Sequence, residues 1–553
     1  MENQELAEDL SNTFSFLKTE RAKHEAEWET CENYVAPSIY GFNSPEKDRP
    51  KRPIRFTSRP SNFFKILVTG LVGYSASPNI VWLKLSLEDE KALESYGVKD
   101  WLESVEKIIY AELNRTNFYS CLPKFVSNAG LFGHGVLLID ESPDFGMRFT
   151  VVPIPDVYLD IDENGNPDTV YRTLTLTLRQ LVAKFGLENI SKELQIDYDD
   201  KTKWNKSVEV LHAVYKRKSY DPESADAKEK PFASVYMETA KKHIIKESGY
   251  DTNPYSIFYW EQIPGTAYSE SPASHALADV KVLNKTNEAR LKVAQLSAEP
   301  PMNVPESMRG QESVIPGGFN YMDKTGQIMS PIQTGGNFPI TLQVTEYTEN
   351  CIKDWFHVDF FLTLQNQQRV LTATEVLELQ GEKAATLAPL IVNLNQALSS
   401  CVARIISLLA IQGKLPTPPR RILENNNFLK IDFVGPLAQA QKKYHSTGGA
   451  AQALSFIAPV QQFSPASMDW IDFDLFVKEM LESQGMPQRI IREQDDVDKI
   501  RQARAEQQAQ IQQQQMQLEQ QKNLLGNLNK LNEPIKQGSV MQELSNQLKG
   551  GFE

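Results

Sequence analysis

Cysteine is scarce in this 553-residue chain: Cys31, Cys121, Cys351 and Cys401 stand far apart, with no CxxC pair. That argues against a disulfide framework and a zinc site, and it suits a reducing compartment. A basic surplus is also missing. The net charge of −13 excludes a generally basic nucleic-acid binder. The opening "MENQELAEDL" is acidic and has no apolar centre, so no signal peptide is expected. Clean apolar runs of about 18 residues are absent. "FFKILVTGLVGY" is interrupted by Lys65, and "APLIVNLNQALSSCVARIISLLAI" carries Asn393, Asn395, Gln396 and Arg404, so no membrane span is expected. Catalytic signatures are missing as well: no G-x-x-x-x-G-K-S/T, G-x-S-x-G, H-E-x-x-H or G-x-G-x-x-G occurs. His134 in "FGHG" falls where a helix should meet a strand, which favours a structural use over a catalytic one. An enzyme, a cofactor or a bound metal therefore has no residues to point to.

What is present is periodicity. "ELAEDLSNTFSFLKTERAKHEAEWETCENYVAP" repeats apolar positions at helical steps and stops before Pro37. A Pro-broken basic stretch follows, "EKDRPKRPIRFTSRPS". It reads either as a phosphate- or partner-binding loop or as a solvated loop paired to an acidic chain. "GVKDWLESVEKIIYAELNRTNFYSCLPKFVSNAGLFG" predicts two helices, and "GVLLIDE" and "MRFTVVPIPDVYLDID" predict strands. "DIDENGNPD" imitates the start of a calcium loop, but the twelfth position is Tyr171, not a carboxylate. Asn164-Gly165 between β-rich runs favours a hairpin instead. Thr177 and Gln180 form a T-x-x-Q capping box for a short helix ending at Gly186. Further strands are expected around "EVLHAVYKRKS", "FASVYMET" and "SIFYWEQI".

From His275 the pattern changes. "HALADVKVLNKTNEARLKVAQLSAE" has no Gly or Pro and predicts roughly 35 Å of helix. On a helical wheel Lys281, Lys285 and Lys292 fall on one wet edge, with Asp279 and Arg290 on the other. Val282, Val293 and Leu296 form one apolar flank; Val280, Leu283 and Leu291 form the second. Two flanks suit a stave in a wall of helices, which would set these six residues at subunit interfaces, and equally a helix in a two-layer bundle. A Gly/Pro-rich insert over 300–343 follows, then a second gap-free helix, "TEYTENCIKDWFHVDFFLTLQ". The two read as an antiparallel pair carrying a small α/β insert at its tip. Thr372 and Glu375 make a second capping box, so residues 364–371 form a polar loop, and Pro389 should kink the helix beyond. "NNNFLKIDFVGP" predicts a strand. Last comes "AEQQAQIQQQQMQLEQQ". Ile511, Leu518 and Leu525 recur every seven residues, an apolar stripe too thin to hold a helix without copies or a neighbour.

"VLTATEVLELQGEKAATLAPLI", "FLKIDFVGPLAQAQKK", "PIQTGGNFPI" and "GMPQRIIREQDDVDKIRQARAEQQAQ" closely resemble the head-to-tail connector, or portal, proteins of short-tailed (podovirus-type) phages. So do "TVYRTLTLTLRQLVAKFG" and "VKDWLESVEKIIYAELNRTNFY". The likeness runs in order from about Trp28 to Gln515, and nothing past Gly526 aligns. It implies an α+β, mainly α fold: a wing over 1–274, stem helices over 275–299 and 344–363, and a clip over 300–343. A tunnel loop over 364–371, a further wing part over 372–435, a crown over 436–499 and a C-terminal barrel helix and tail over 500–553 complete it. It implies a ring, usually of twelve subunits, at one capsid vertex of the virion, assembled in the host bacterial cytoplasm. Double-stranded DNA passes through the channel. The partners implied are terminase large subunit, a tail adaptor, and major capsid, scaffolding and internal core proteins, with no membrane. DNA-facing residues would be Asn366, Gln367, Gln368 and Arg369 in the tunnel loop, with Lys281, Lys285 and Lys292 as a second channel-facing candidate. A non-portal ring- or tube-forming oligomer of a virion or cell is the alternative reading.

Overall fold

The computed structural model describes residues 2–37, 53–87, 97–142, 146–221, 224, 226–298, 302–303, 330–331, 338–365, 387–419, 429–435, 472–477 and 494–531. Two compact units, Met1–Pro465 and Ala466–Glu553, divide the chain. In the first, helix α1 (Glu2–Val35) follows from its own spacing. Ala7, Leu10, Leu17, Trp28, Cys31 and Val35 recur on one stripe and all are buried. Arg21 shares that stripe. It is buried too, donates to the Val157 carbonyl at 3.1 Å, pairs with Glu25 at 2.7 Å and lies over the Tyr158 ring.

Helix α2 (Arg59–Ser75) and strand β1 (Leu83–Leu87) lead to the expected helix pair, α3 (Val98–Arg115) and α4 (Phe118–Phe132). Gly133, at φ +87°, ends α4 and launches β2 (His134–Ser142). A Cβ placed there would stand 1.9 Å from the Ser269 carbonyl oxygen. Gly133→Ala is therefore expected to cost at least about 2 kcal/mol, read as a lowered denaturation midpoint. Gly165→Ala, at φ +82° with nothing within 4 Å, should cost about 1 kcal/mol from backbone strain alone.

Strands β3 (Gly146–Val151), β4 (Val157–Ile161) and β5 (Pro167–Thr177) follow, with β4 and β5 paired as the predicted hairpin. In its loop Asp162 Oδ1 accepts from the amides of Asn164 and Asn166, at 2.9 and 2.7 Å. That carboxylate serves the turn. Thr177 and Gln180 form both arms of the capping box at α5 (Leu178–Phe185), as expected. Helix α6 (Lys192–Asp199) and strands β6 (Ser207–Lys216), β7 (Phe232–Glu238), β8 (His243–Tyr250) and β9 (Tyr255–Tyr259) complete two antiparallel sheets. Their orders are β4-β5-β6-β7-β8 and β3-β2-β9.

Alternation places the larger sheet between two layers. Tyr171, Leu211, Ala213, Val235 and Met237 pack with α1, while Val208, Val210, Tyr236 and Ile245 pack with α5 and α6. The short strands β10 (Glu261–Gln262) and β11 (Ser269–Glu270) precede helix α7 (Pro272–Ala298). Strands β12 (Met302–Asn303) and β13 (Ser330–Pro331) pair antiparallel where the insert leaves and rejoins the helices.

Helix α8 (Phe338–Trp355) packs on α7. The second long helix expected over 345–365 is interrupted. Phe356 and His357 break it, His357 takes φ +48°, and α9 (Val358–Gln365) sets off anew. Histidine tolerates this left-handed region better than most residues. Helix α10 (Ala388–Ile411) corrects a second expectation, since Pro389 lies in its first turn and does not kink it there. A first-turn proline forfeits only an amide that has no helical partner. By length and composition α10 could cross a membrane. In the fold, Leu390, Ile391, Leu394, Leu398, Val402, Ile405, Leu408 and Leu409 join the main core. Strand β14 (Leu429–Phe433) pairs with β1. In the second unit, α11 (Gln494–Leu531) carries the glutamine-rich run and continues through Gly526.

Candidate functional site

The helix pair α7–α8 is anchored at its base. Ser271 and Ser274 cap α7 reciprocally, each amide donating to the other's hydroxyl, at 3.2 and 2.9 Å. Ser271 Oγ donates to the Leu131 carbonyl at 3.1 Å, and Ser269 Oγ donates to the Gly133 carbonyl, fixing α7 to the α4–β2 junction. His275 stacks on Trp355 of α8 with centroids 5.0 Å apart, and its Nε2 stands 3.3 Å from Glu270. About two and a half turns higher, Asn284 is buried and holds the strap that precedes α2. It accepts from the Phe56 amide at 2.8 Å and donates to the Ile54 carbonyl at 3.3 Å. At the break, Phe361 of α9 fits against Gly70 of α2, where a Cβ would stand 2.3 Å from the ring.

His134, the residue most tempting to chemistry, is fully buried among Trp28, Tyr259 and Tyr268. Burial pulls its pKa down to about 3, so the ring stays neutral. Glu112 ties α3 to the chain just after α10. Lys414 reaches it at 2.9 Å and Arg115 at 2.7 Å. Burial disfavours its charge, but those two hydrogen bonds outweigh it and keep the carboxyl below its ordinary range.

The predicted stem residues separate into two groups. Val280 and Leu283 are buried within the chain's own core, at 1% and 0% exposure. They are thus corrected from subunit-interface positions to core positions, because the first turns of α7 lie on α1 and α4. Val282, Leu291 and Leu296 are exposed, and Val293 is half-buried. Lys285 and Lys292 both reach Glu288, at 3.0 and 2.8 Å, and Lys281 is exposed. The hydrogen bond from Lys292 and then that from Lys285 hold Glu288 below its ordinary range. That edge is a partly neutralised ladder with Lys281 beside it.

A second stripe escaped the sequence reading. On α8, Val344, Tyr347, Cys351 and Trp355 follow one another by three, four and four residues. Val344, Tyr347 and Trp355 are exposed, Tyr347 most of all. The same wheel used for α7 would have found it. On α11, Ile511 and Leu518 are exposed at 49% and 56%; Leu525 lies in the same helix, its side chain outside the described residues. Asn366, Gln367, Gln368 and Arg369, with Thr372 and Glu375, also lie outside the described residues. Among the described residues no group of three or more His, Cys, Asp or Glu could hold a metal.

Among the described residues no catalytic constellation stands out. The described geometry is an α+β body, mainly helical, with a helix pair whose apolar stripes are exposed. The family model described as bacteriophage head to tail connecting protein matches residues 7–491, and the chain belongs to that family, the phage portal proteins. It is 30% identical over 516 residues to the portal protein of Salmonella phage epsilon15, covering 90% of this chain and 91% of that one. It is 26% identical to the probable portal protein of Bordetella phage BPP-1, covering 91% and 92%. To the portal protein of Enterobacteria phage T3 it is 20% identical, covering 76% and 78%. The connector resemblance of its motifs is thus borne out.

Proposed function

We propose that the chain closes into a ring of twelve at one vertex of the phage head and that DNA enters and leaves through its axis. The observation that carries this reading is the pair of unlike apolar stripes. Val282, Val293 and Leu296 mark α7, and Val344, Tyr347 and Trp355 mark α8. A contact that sets the stripe of one copy against the other stripe of the next is heterologous, and such contacts make a ring when their rotation closes.

On this reading α7 and α8 are the stem and the insert between β12 and β13 is the clip, which meets terminase and a tail adaptor. The body before α7, with α10 and β14, is the wing. Residues 436–499 form the crown, and α11 joins its copies in a barrel. Capsid, scaffolding and internal core proteins meet the outer and upper surfaces. The protein works as a structural channel and not as an enzyme, is assembled in the host cytoplasm and needs no membrane. The tunnel loop at Asn366–Arg369 faces DNA. The Lys281, Lys285 and Lys292 edge is the second candidate, and its pairing to Glu288 weakens its grip on phosphate. A weak grip suits a bore through which DNA must slide, since each unpaired cation adds salt-dependent affinity.

Native mass spectrometry of the purified chain tests the reading. Twelve copies of a 62.6 kDa chain should give a particle of about 751 kDa. A species that stays at the mass of one chain under all conditions would overturn it.

A further inference from the structure

A cavity of about 350 Å³ runs beside β9. One wall is a face of α10 bearing Gln396, Ser400 and Arg404, and the other is the β4–β5 hairpin loop at residues 165–167. The floor is β9 at Tyr255, Ile257 and Tyr259. Hydrogen-bond register identifies which part of the strand this is. Among the described residues strand β9 is the margin of its sheet, paired only to β2. The Ile139 amide donates to the Pro254 carbonyl, and the Trp260 amide donates to the Gly133 carbonyl, so these two bonds bracket the ladder. In an antiparallel pair such bonds recur at every second residue. Ser256 and Phe258 therefore turn their backbone groups toward β2. Those of Tyr255, Ile257 and Tyr259 turn away from it, toward the cavity. Asn253 Oδ1 accepts the Tyr255 amide at 2.9 Å, while the amides of Ile257 and Tyr259 have no partner among the described residues.

Arg404 adds a second, independent observation. It is 3% exposed, donates to Thr252 Oγ1 at 2.9 Å and lies over the Tyr250 ring. Asp140, Glu141 and Asp251 act on it only from a distance, and no carboxylate of the described residues forms an ion pair with it. A buried cation without a close counter-charge is costly. The cavity thus offers a row of free strand-edge groups and a guanidinium that lacks an anion. An extended peptide with one acidic side chain supplies both.

We propose that the slot takes an extended segment of a neighbouring copy of this chain. That segment adds as a strand to the free edge of β9 and sets an aspartate or glutamate against Arg404. The source follows from charge and number. The chain carries 71 acidic against 58 basic side chains, and in a ring every copy has a neighbour at fixed stoichiometry. The inference rests on the ring reading above.

Electron microscopy of the assembled particle, at a resolution that shows side chains, tests it, together with two variants. Ile257→Pro removes an outward amide without breaking a bond to β2. Ala403→Trp fills the slot from its exposed rim and leaves β9 untouched. A strand from the adjacent copy is expected beside β9. In both variants the ring-to-monomer ratio should fall at least tenfold; Ile257→Pro, which also loses core packing, should lower the thermal midpoint of the monomer, whereas Ala403→Trp should leave it near that of the parent. A ring whose slot is empty, or is filled by a different protein, overturns the inference and leaves the ring reading standing. Rings that assemble equally well from both variants do the same. If no ring forms at all, both readings fall.

Discussion

Val282→Asp combined with Leu296→Asp should turn the particle of about 751 kDa into single chains of 62.6 kDa. Both side chains are exposed in the isolated chain, at 48% and 37%, so neither substitution enters the core. The monomer should keep its circular dichroism spectrum and its denaturation midpoint. In the ring each subunit boundary would bury two carboxylates against apolar side chains of the next copy. Burying an unpaired charge costs several kcal/mol. The penalty recurs at every boundary, and a ring closes only if all its boundaries form. Assembly should therefore fail outright. Val280→Asp is the contrasting case: that side chain is 1% exposed, so the chain itself should misfold before assembly is at issue. A double variant that still runs at full ring mass would show that the α7 stripe faces solvent outside the stem, and the ring would then need a different seam.

Local signals carried well from sequence to structure. The Asn164-Gly165 hairpin, the Thr177–Gln180 capping box and the α3–α4 helix pair each depend on residues within a few positions of one another, and all three stand as expected. Long-range pairing was harder to see. Strand β14 was legible, but its partner β1 lies some 340 residues earlier, with Ser86 and Asp432 hydrogen-bonded at 2.6 Å across that gap. No local pattern announces such a partner. The break at Phe356–His357 was hidden because "WFHVDFF" contains neither Gly nor Pro. The packing of Phe361 against Gly70 shows where α9 is held by tertiary contact. On one apolar flank of α7 the chain buries Val280 and Leu283 near the base and leaves Leu291 exposed. That split depended on α1 and α4, elements more than a hundred residues away, which meet the first turns of α7. The slot beside β9 was beyond sequence reading altogether, since it arises from hydrogen-bond register and from α10 coming alongside.

The most demanding test concerns DNA. Arg369→Glu should leave ring assembly intact and reduce the yield of filled heads by roughly tenfold or more. The case rests on position and composition. Helix α9 ends at Gln365, and "NQQR" follows, with three amides and one cation. Asn366, Gln367 and Gln368 can donate to phosphate oxygens without a net charge, so each contact is weak and quickly remade. Arg369 is the only cation between Gln365 and Leu371. Twelve copies would set a single positive belt around the axis, in a chain whose net charge is −13. A belt of that kind gives sliding DNA one place to rest, and its effect should weaken as salt rises. Reversing the charge replaces attraction by repulsion at twelve points while changing no apolar side chain. Ring mass should stay at its parent value and packaging should fall. Arg369→Gln, which removes the charge but keeps the hydrogen-bonding group, should fall between parent and Arg369→Glu. Heads of the Arg369→Glu variant that fill at the parent rate and hold a full genome would remove this loop from the DNA path. The Lys281, Lys285 and Lys292 edge would then be the next candidate.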